Sequence, residues 1–450
     1  IYAALFAAFA AFVGGLTALR YEMYISPNFD FGIFSQMFEY MKETGIPYTT
    51  CERDGLLSHF QVHLSFIYYL IFPFYVLFHT PLTLNIAQAV ILATGLYPLW
   101  LLCKKHRLSD SLTVLLGIAY IFYPALSAGC FYDIHENCFL TPLLLCLLLA
   151  IDQDNTIALI LSAVMVCAVK EDAPIYLIFI ALWMAFAKKK IVKPLLLLVF
   201  SVGYFLLAVW YLDSHGDGAM LYRYANFSTD GGSLTDIVKA CLVNPGYVFS
   251  QCLDEDKMVF FLQMMLPLGF LPLFCTRISS YILLGPFMLI NLMSYYPYQH
   301  SLDYQYNFGV TALLFYLTIV NLSARKQQTR RFLALLCAAF AVFGFSAFVG
   351  ERLGYISYYQ NTKEVCDTLD EVVAQVPKDA SVYSSTFLLP HLYQNKILYQ
   401  LNADSPDLSG RTEYVLIDLR FQEFSDLYPL YVQAGFQTVV YEEGAAALLY

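Results

Sequence analysis

Charge is what this 450-residue sequence has least of. Only 13% of its residues are Asp, Glu, Lys or Arg, about half of the roughly 25% usual in a soluble domain. Basic clusters are missing too. The 25 Lys and Arg sit in short loops against 35 Asp and Glu, a balance of −10 that excludes nucleic acid as a partner. No CxxC occurs among the eleven Cys, and most lie in apolar runs where Cys acts as a small hydrophobe. Only Cys130 with Cys138, or Cys241 with Cys252, has a spacing that suits pairing on an oxidising face. Ile1 lies inside an apolar stretch without a Met, a basic flank or a small-residue cleavage site, and the expectation is a trimmed first membrane helix rather than a signal peptide.

What is abundant is apolar length. Hydrophobic residues make up 59% of the chain and aromatics 17%. Twelve apolar runs recur, from about 2 to 19 up to about 332 to 349, most of them near the roughly 20 residues that span a bilayer. The chain therefore reads as an α-helical polytopic membrane protein. Short basic loops mark the cytoplasmic side: Lys104, Lys105 and Arg107; Lys188, Lys189, Lys190 and Lys193; Arg325, Lys326, Arg330 and Arg331; with Arg277 supporting a fourth. From 104 forward, one crossing per run puts all four on one side; counting backward, the run 60 to 78 is expected to dip into the outer interface without crossing, so that residues 20 to 58 lie outside. The three basic and six acidic side chains of residues 20 to 58 suit an outer loop. The expectation is eleven crossings plus interfacial helices, the N-terminus inside and the C-terminal segment outside, in a multi-pass cell-membrane protein.

With that topology the ionisable residues gather on the outer face: Asp30, His59, His63, "DIHEN" with His135 and Glu136, "KED" with Lys170, Glu171 and Asp172, and "QHSLDYQYN" with His300, Tyr304 and Tyr306. A charge at membrane depth costs about 3 kcal/mol, so "KED" between two apolar runs is either a hydrated turn or a paired cluster lining a cavity. Asn28 is the expected N-cap of an amphipathic helix, with Phe31, Phe34, Phe38 and Met41 at helical spacing and Asp30 in its first turn. On residue type alone Asp30 merely caps that helix. His59 and His63, four apart, would share a helix face, and with His135 and Glu136 they make a divalent metal possible, although solvated or hydrogen-bonded His is the commoner state. The polar stretch 213 to 256, with Arg223, is a lid, an acceptor site or a plain connection.

The segments "NFDFGIFSQMFEY", "SHFQVHLSFIYYLIFPFY", "YPALSAGCFYDIHENCFLTPLLL", "KEDAPIYL" and "VPKDASVYSSTFLLPHL" resemble, along almost the whole chain, a family of predicted multi-pass membrane proteins of unknown function. That family is in turn similar to the polytopic C-type glycosyltransferases, among them protein O-mannosyltransferases and aminoarabinose transferases. The resemblance implies an acid in the first outer loop that serves the chemistry, which maps onto Asp30 as general base, and an interfacial segment that maps onto 60 to 78. It implies as donor a sugar on a polyprenyl phosphate, and as acceptor a glycan, lipid or protein. Lys170 and His300 are then candidates for the phosphate, Tyr304 and Tyr306 for sugar or phosphate, and His135, Glu136, Glu171 and Asp172 for orienting these. The rival reading is a transporter or lipid flippase with an outward-facing polar cavity.

Residues 1 to 354 are the expected transmembrane domain and 355 to 450 a small α/β domain outside, because "ASVYSS", "KILYQL", "EYVLIDL" and "FQTVVYEE" alternate with helix-like stretches and predict a mainly parallel sheet. This tail lacks a Gly-rich phosphate loop, which leaves acceptor recognition as its expected task. Asp418 ends a strand there, as a cap, a solvated acid or a ligand-facing group.

Overall fold

The protein is described by a computed structural model over residues 1–53, 55–188, 191–227 and 234–450. Asp54, Lys189, Lys190 and residues 228–233, and with them part of one expected basic loop, lie outside the described residues. Among the described residues six helices are long and apolar enough to cross a membrane: Tyr2–Glu22, Leu82–Lys105, Glu136–Gln153, Val192–His215, Gln305–Ser323 and Gln327–Phe348. A seventh is possible as the bent pair Asp110–Ile121 and Pro124–Tyr132, and Thr156–Cys167 and Pro174–Ala187 are shorter apolar helices. Within 60 to 78 the helices are brief, His59–Gln61, Phe66–Leu70 and Phe72–Phe78. The runs 257 to 275 and 278 to 296 are broken rather than continuous. Pro267 and Pro272 each remove a helical donor, Gly269 and Phe270 adopt left-handed backbone (φ 56° and 55°), and the stretch resolves into short 3-10 and π turns up to Leu292.

Two compact units form. The first comprises Ile1–Val13, Val62–Tyr68 and Gln88–Glu351; the second Gly14–Gln61, Tyr69–Ala87 and Arg352–Tyr450. In the first, Gln305–Ser323 is the central helix, 89% buried. Phe315 on it meets Tyr120 and Tyr123 edge-on, with ring centroids 5.3 Å apart in both pairs. Gly309 is required there because a Cβ would collide with the ring of Tyr176. Val192–His215, by contrast, is 22% buried and turns Leu196, Val199, Leu207 and Trp210 outward. That much exposed apolar surface is stable against lipid and not against water. The chain is a membrane protein. All eleven Cys are free.

In the second unit the C-terminal residues form a five-stranded sheet. Ser381–Ser384 pairs in parallel with Ile397–Gln400 on one side and Tyr414–Asp418 on the other. Ala446–Leu449 then pairs antiparallel with both Tyr414–Asp418 and Thr438–Glu442. The sheet is thus mixed, two parallel and two antiparallel pairings, because the short turn after Glu442 permits only a hairpin. Side chains alternate between two cores: Leu416 joins Leu369 and Val372 on one face, and Val415 and Ile417 join Phe424 and Tyr431 on the other. Asp418 is fully buried and spends its charge on Arg420, 2.6 Å away, whose guanidinium also donates to the Tyr24 carbonyl at 2.9 Å.

His391 is stacked between Tyr24 and Tyr21, with ring centroids 3.6 and 4.1 Å away. Burial, and then the nearby Arg420 guanidinium, push its pKa down to about 3. The unfolded chain, with an ordinary His near 6.5, takes up the proton first, so stability falls as pH drops below about 6.5. Between about pH 7 and 5 the purified protein should lose on the order of 1–2 kcal/mol from this group. Unfolding of wild type and His391→Phe at both pH values measures it, and an equal loss in the two proteins would rule out the assignment.

Candidate functional site

The side chains that matter are held by three segments of the first unit. Gln88 fixes the "DIHEN" loop: its amide donates to the carbonyls of Asp133 (2.7 Å) and Cys130 (3.2 Å) and accepts from the His135 N–H (2.9 Å). Asp133 takes φ 104° in that loop, a backbone conformation rare for a non-glycine residue. The segment Val62–Tyr68 is strapped to the "KED" turn, where the Leu64 N–H donates to Glu171 Oε2 at 3.2 Å and the Ile67 N–H to the Ala168 carbonyl at 2.8 Å.

At the junction of these segments lies a fully buried carboxylate. Glu136 meets Lys170 Nζ at 3.0 Å and His135 Nδ1 at 3.1 Å. The Tyr68 hydroxyl donates to it at 2.7 Å while accepting from the Glu136 backbone N–H at 3.0 Å. Lys170, 2% exposed, also faces Glu171 and Asp172. Burial alone would lower its pKa, but the carboxylates, Glu136 foremost, outweigh burial and raise it. Lys170 is therefore a permanent cation, committed to Glu136. His63 Nδ1 sits 2.9 Å from Glu171 Oε1. Burial opposes ionisation of Glu171, yet the His63 ring, followed by Lys170, holds its carboxyl well below the usual range.

These residues open onto a cleft of about 760 Å³, counting its mouth, lined by His63, Lys170, Glu171, Asp172, Arg223, Tyr224 and Gln299 together with apolar side chains. The stretch 213 to 256 contributes Arg223 from the turn Leu221–Phe227. Arg223 is 8% exposed and lies over the rings of Tyr296 (4.8 Å), Tyr306 (5.1 Å) and Tyr222 (6.0 Å). One of its terminal nitrogens contacts Met220 Sδ, and its Nε has no partner among the described residues. A nearly buried guanidinium, caged by aromatic faces and without an ion pair among the described residues, is a ready anion site.

Of the expected residues, His63, Lys170, Glu171, Asp172 and Arg223 line this cleft, His135 and Glu136 support it from behind, and Tyr306 reaches Arg223. His300 is not among the lining residues. It sits beside Lys257, Asp254 and Asp256, and burial lowers its pKa, so it is a poor phosphate cation. Tyr304 packs on Tyr298 and Tyr132, with ring centroids 4.4 and 4.6 Å away. Sequence reasoning missed Tyr68, Tyr296 and Gln299; only the flanking of Arg223 by Tyr222 and Tyr224 hinted at an aromatic cage.

Asp30 and His59 belong to the second unit. Asn28 does not cap the helix: its side chain donates to Gln400 (3.0 Å) and the Cys51 carbonyl (3.2 Å), and the helix begins at Ile33. Asp30 lies before that helix at φ 67° and ψ −67°, a strained conformation of the kind found at functional sites. The buried Gln36 secures the helix, accepting from the Thr50 N–H at 2.8 Å and donating to the Asn395 carbonyl at 3.0 Å. His59 and His63 do not share a helix face, since the 3-10 turn His59–Gln61 ends between them, and they take different acids, Glu52 at 3.1 Å and Glu171. Among the described residues no three His, Cys, Asp or Glu converge as a metal site. The two histidines are instead engaged by separate carboxylates, His59 by Glu52 and His63 by Glu171.

Removing one partner of a buried ion pair leaves the other charge desolvated and costs about 3–5 kcal/mol. Lys170→Met should therefore destabilise the protein by that order, and Lys170→Met combined with Glu136→Leu should recover much of the loss. Detergent-phase unfolding of both variants checks this; a double variant as unstable as the sum of its singles would mean that the two side chains do not act as a pair.

The geometry has counterparts among known proteins. Comparison with the curated proteins gives no match. Among solved structures, ArnT from Cupriavidus metallidurans bound to undecaprenyl phosphate matches with a TM-score of 0.63 at 12% identity, covering 100% of this chain and 97% of that one. The apo state of the same protein matches at 0.56 over the same shares, also at 12% identity. The chain thus has an ArnT-like fold. The family model of predicted membrane proteins designated DUF2079 matches residues 20–431, and the chain belongs to that family.

Proposed function

We propose that the protein is a membrane glycosyltransferase that moves a sugar from a polyprenyl phosphate to an extracytoplasmic glycan, lipid or protein acceptor. The observation that carries this reading is the nearly buried Arg223 guanidinium, without an ion-pair partner among the described residues, in a cleft that it shares with Asp172 and Gln299. The shared fold adds to it, because ArnT has been solved with undecaprenyl phosphate bound.

In this reading Arg223 takes the donor phosphate, the part that the sequence assigns to Lys170 and His300. Lys170 is committed to Glu136 and keeps that buried carboxylate neutralised beside the cleft. The anomeric carbon passes through an oxocarbenium-like state as its bond to the phosphate oxygen breaks. The electron pair goes to the phosphate, where Arg223 stabilises the growing charge. Asp30 takes the proton of the acceptor hydroxyl as general base. Tyr306 and Gln299 are placed to touch the sugar or the phosphate. The active face and residues 355 to 450 lie outside the cell, with the α/β portion recognising the acceptor.

One observation favours the transporter or flippase reading: the broken stretch from Leu266 to Leu292, since interrupted helices mark substrate paths in transporters. Purified protein given isotope-labelled polyprenyl-phosphate sugars separates the two, because a transferase consumes the donor and a transporter only moves it. Asp30→Asn should lower transfer about 10²- to 10⁴-fold with donor binding retained. Arg223→Gln should weaken donor binding about 10- to 100-fold. Undiminished transfer by Asp30→Asn would remove it as base, and translocation without turnover would replace the transferase reading.

A further inference from the structure

Three carboxylates surround Lys170, and they are not equivalent. Glu136 is held by Lys170, Tyr68 and His135, and Glu171 by His63 and the Leu64 N–H. Of the three, only the Asp172 carboxylate has neither a hydrogen bond nor an ion pair among the described residues, and it lines the cleft together with Arg223. The groups that face it are Lys170, Glu171, His63, Arg223 and the phenols of Tyr176 and Tyr224. Burial pushes its carboxyl above the ordinary range against the pull of Lys170; Glu171 adds to the rise, and Arg223 and His63 oppose it. A phosphate arriving at Arg223 adds negative charge and partly offsets the pull of that cation, so binding favours the protonated acid further.

We infer that Asp172 takes part as a carboxylic acid, hydrogen-bonding to the donor phosphate and giving its proton to the oxygen that leaves the anomeric carbon. This role rests on the transferase reading above. The bond from the anomeric carbon to the phosphate oxygen breaks, its electron pair stays on that oxygen, and the Asp172 proton moves there. The acceptor oxygen forms the new bond to carbon, and its own proton goes to the base. The phosphodiester carries one negative charge, and the released monoester leaves with one as well because it has taken up the proton. Asp172 remains as a carboxylate facing Lys170 and Arg223 until water reprotonates it.

The test uses the full chain and a polyprenyl methyl phosphate, a diester whose single charge does not change between about pH 5 and 8. Wild-type affinity should fall as pH rises through the raised Asp172 pKa, approaching a tenfold loss per pH unit for one linked proton. Asp172→Asn, which keeps a hydrogen-bond donor but has no proton to lose, should bind with a flat pH profile while transfer drops about 10²- to 10⁴-fold. Asp172→Glu should retain the slope. A slope unchanged in Asp172→Asn, or no slope in wild type, overturns the proton-donor role and leaves the transferase reading standing. Failure of wild type and Arg223→Gln alike to bind the diester at any pH overturns both.

Discussion

A charge removed from water must be matched inside the protein, and the Lys170–Glu136 pair is where this chain meets that constraint. Glu136 has no exposed side-chain surface and Lys170 almost none. Desolvating two such ions costs several kcal/mol each, recovered only when geometry and the remaining hydrogen bonds are good. The surrounding architecture serves that need: Tyr68 comes from a strapped segment, His135 from a loop pinned by Gln88, and Glu171 from the turn that carries Lys170. Once these groups have satisfied one another, an unpaired acid and an unpaired cation remain, and both face the same cleft. The pair thereby determines which residues are left to meet a ligand.

Much of this was legible in the sequence as a gathering of acids, His and Lys between apolar runs. The sequence did not disclose which of them pair, because pairing depends on approach between segments 34 to 108 positions apart. Lys170 and His300 look alike as cations in one dimension. In space the first has three carboxylates around it and the second has burial and Lys257 beside it, so neither is free for a phosphate. Arg223 lay in a polar stretch without periodicity, and its tyrosine cage draws on residues up to 83 positions later. Histidines four apart read as a helical pair, but the turn at His59–Gln61 closes before a helix forms.

Helix existence followed apolar length, and its failures have local causes. Runs such as 191 to 212 and 306 to 322 became Val192–His215 and Phe308–Ser323 because nothing interrupts their backbone bonding. The run 257 to 275 is as apolar, yet Pro267 and Pro272 bracket two left-handed residues and break it. The same logic separates expectation from outcome in the sheet. Its parallel strands were written in β-branched and aromatic alternation, whereas Ala446–Leu449, composed of Ala and Leu, resembles a helix and became a strand only through pairing with two neighbours.

Charge arithmetic connects the fold back to the chemistry. Lys170 and Arg223 bring two positive charges to the cleft, and Glu136 and Glu171 bring two negative ones, so these four cancel. An ionised Asp172 would leave the wall negative at the place where Arg223 offers itself to an anion. A protonated Asp172 leaves it neutral, able to accept the single charge of a phosphodiester without repulsion. In the proposed reaction the phosphate gains a charge as the diester is cleaved, and the Asp172 proton offsets it. The transfer thus keeps the departing phosphate at one negative charge within a low-dielectric site, and solvent returns the proton to Asp172 afterwards.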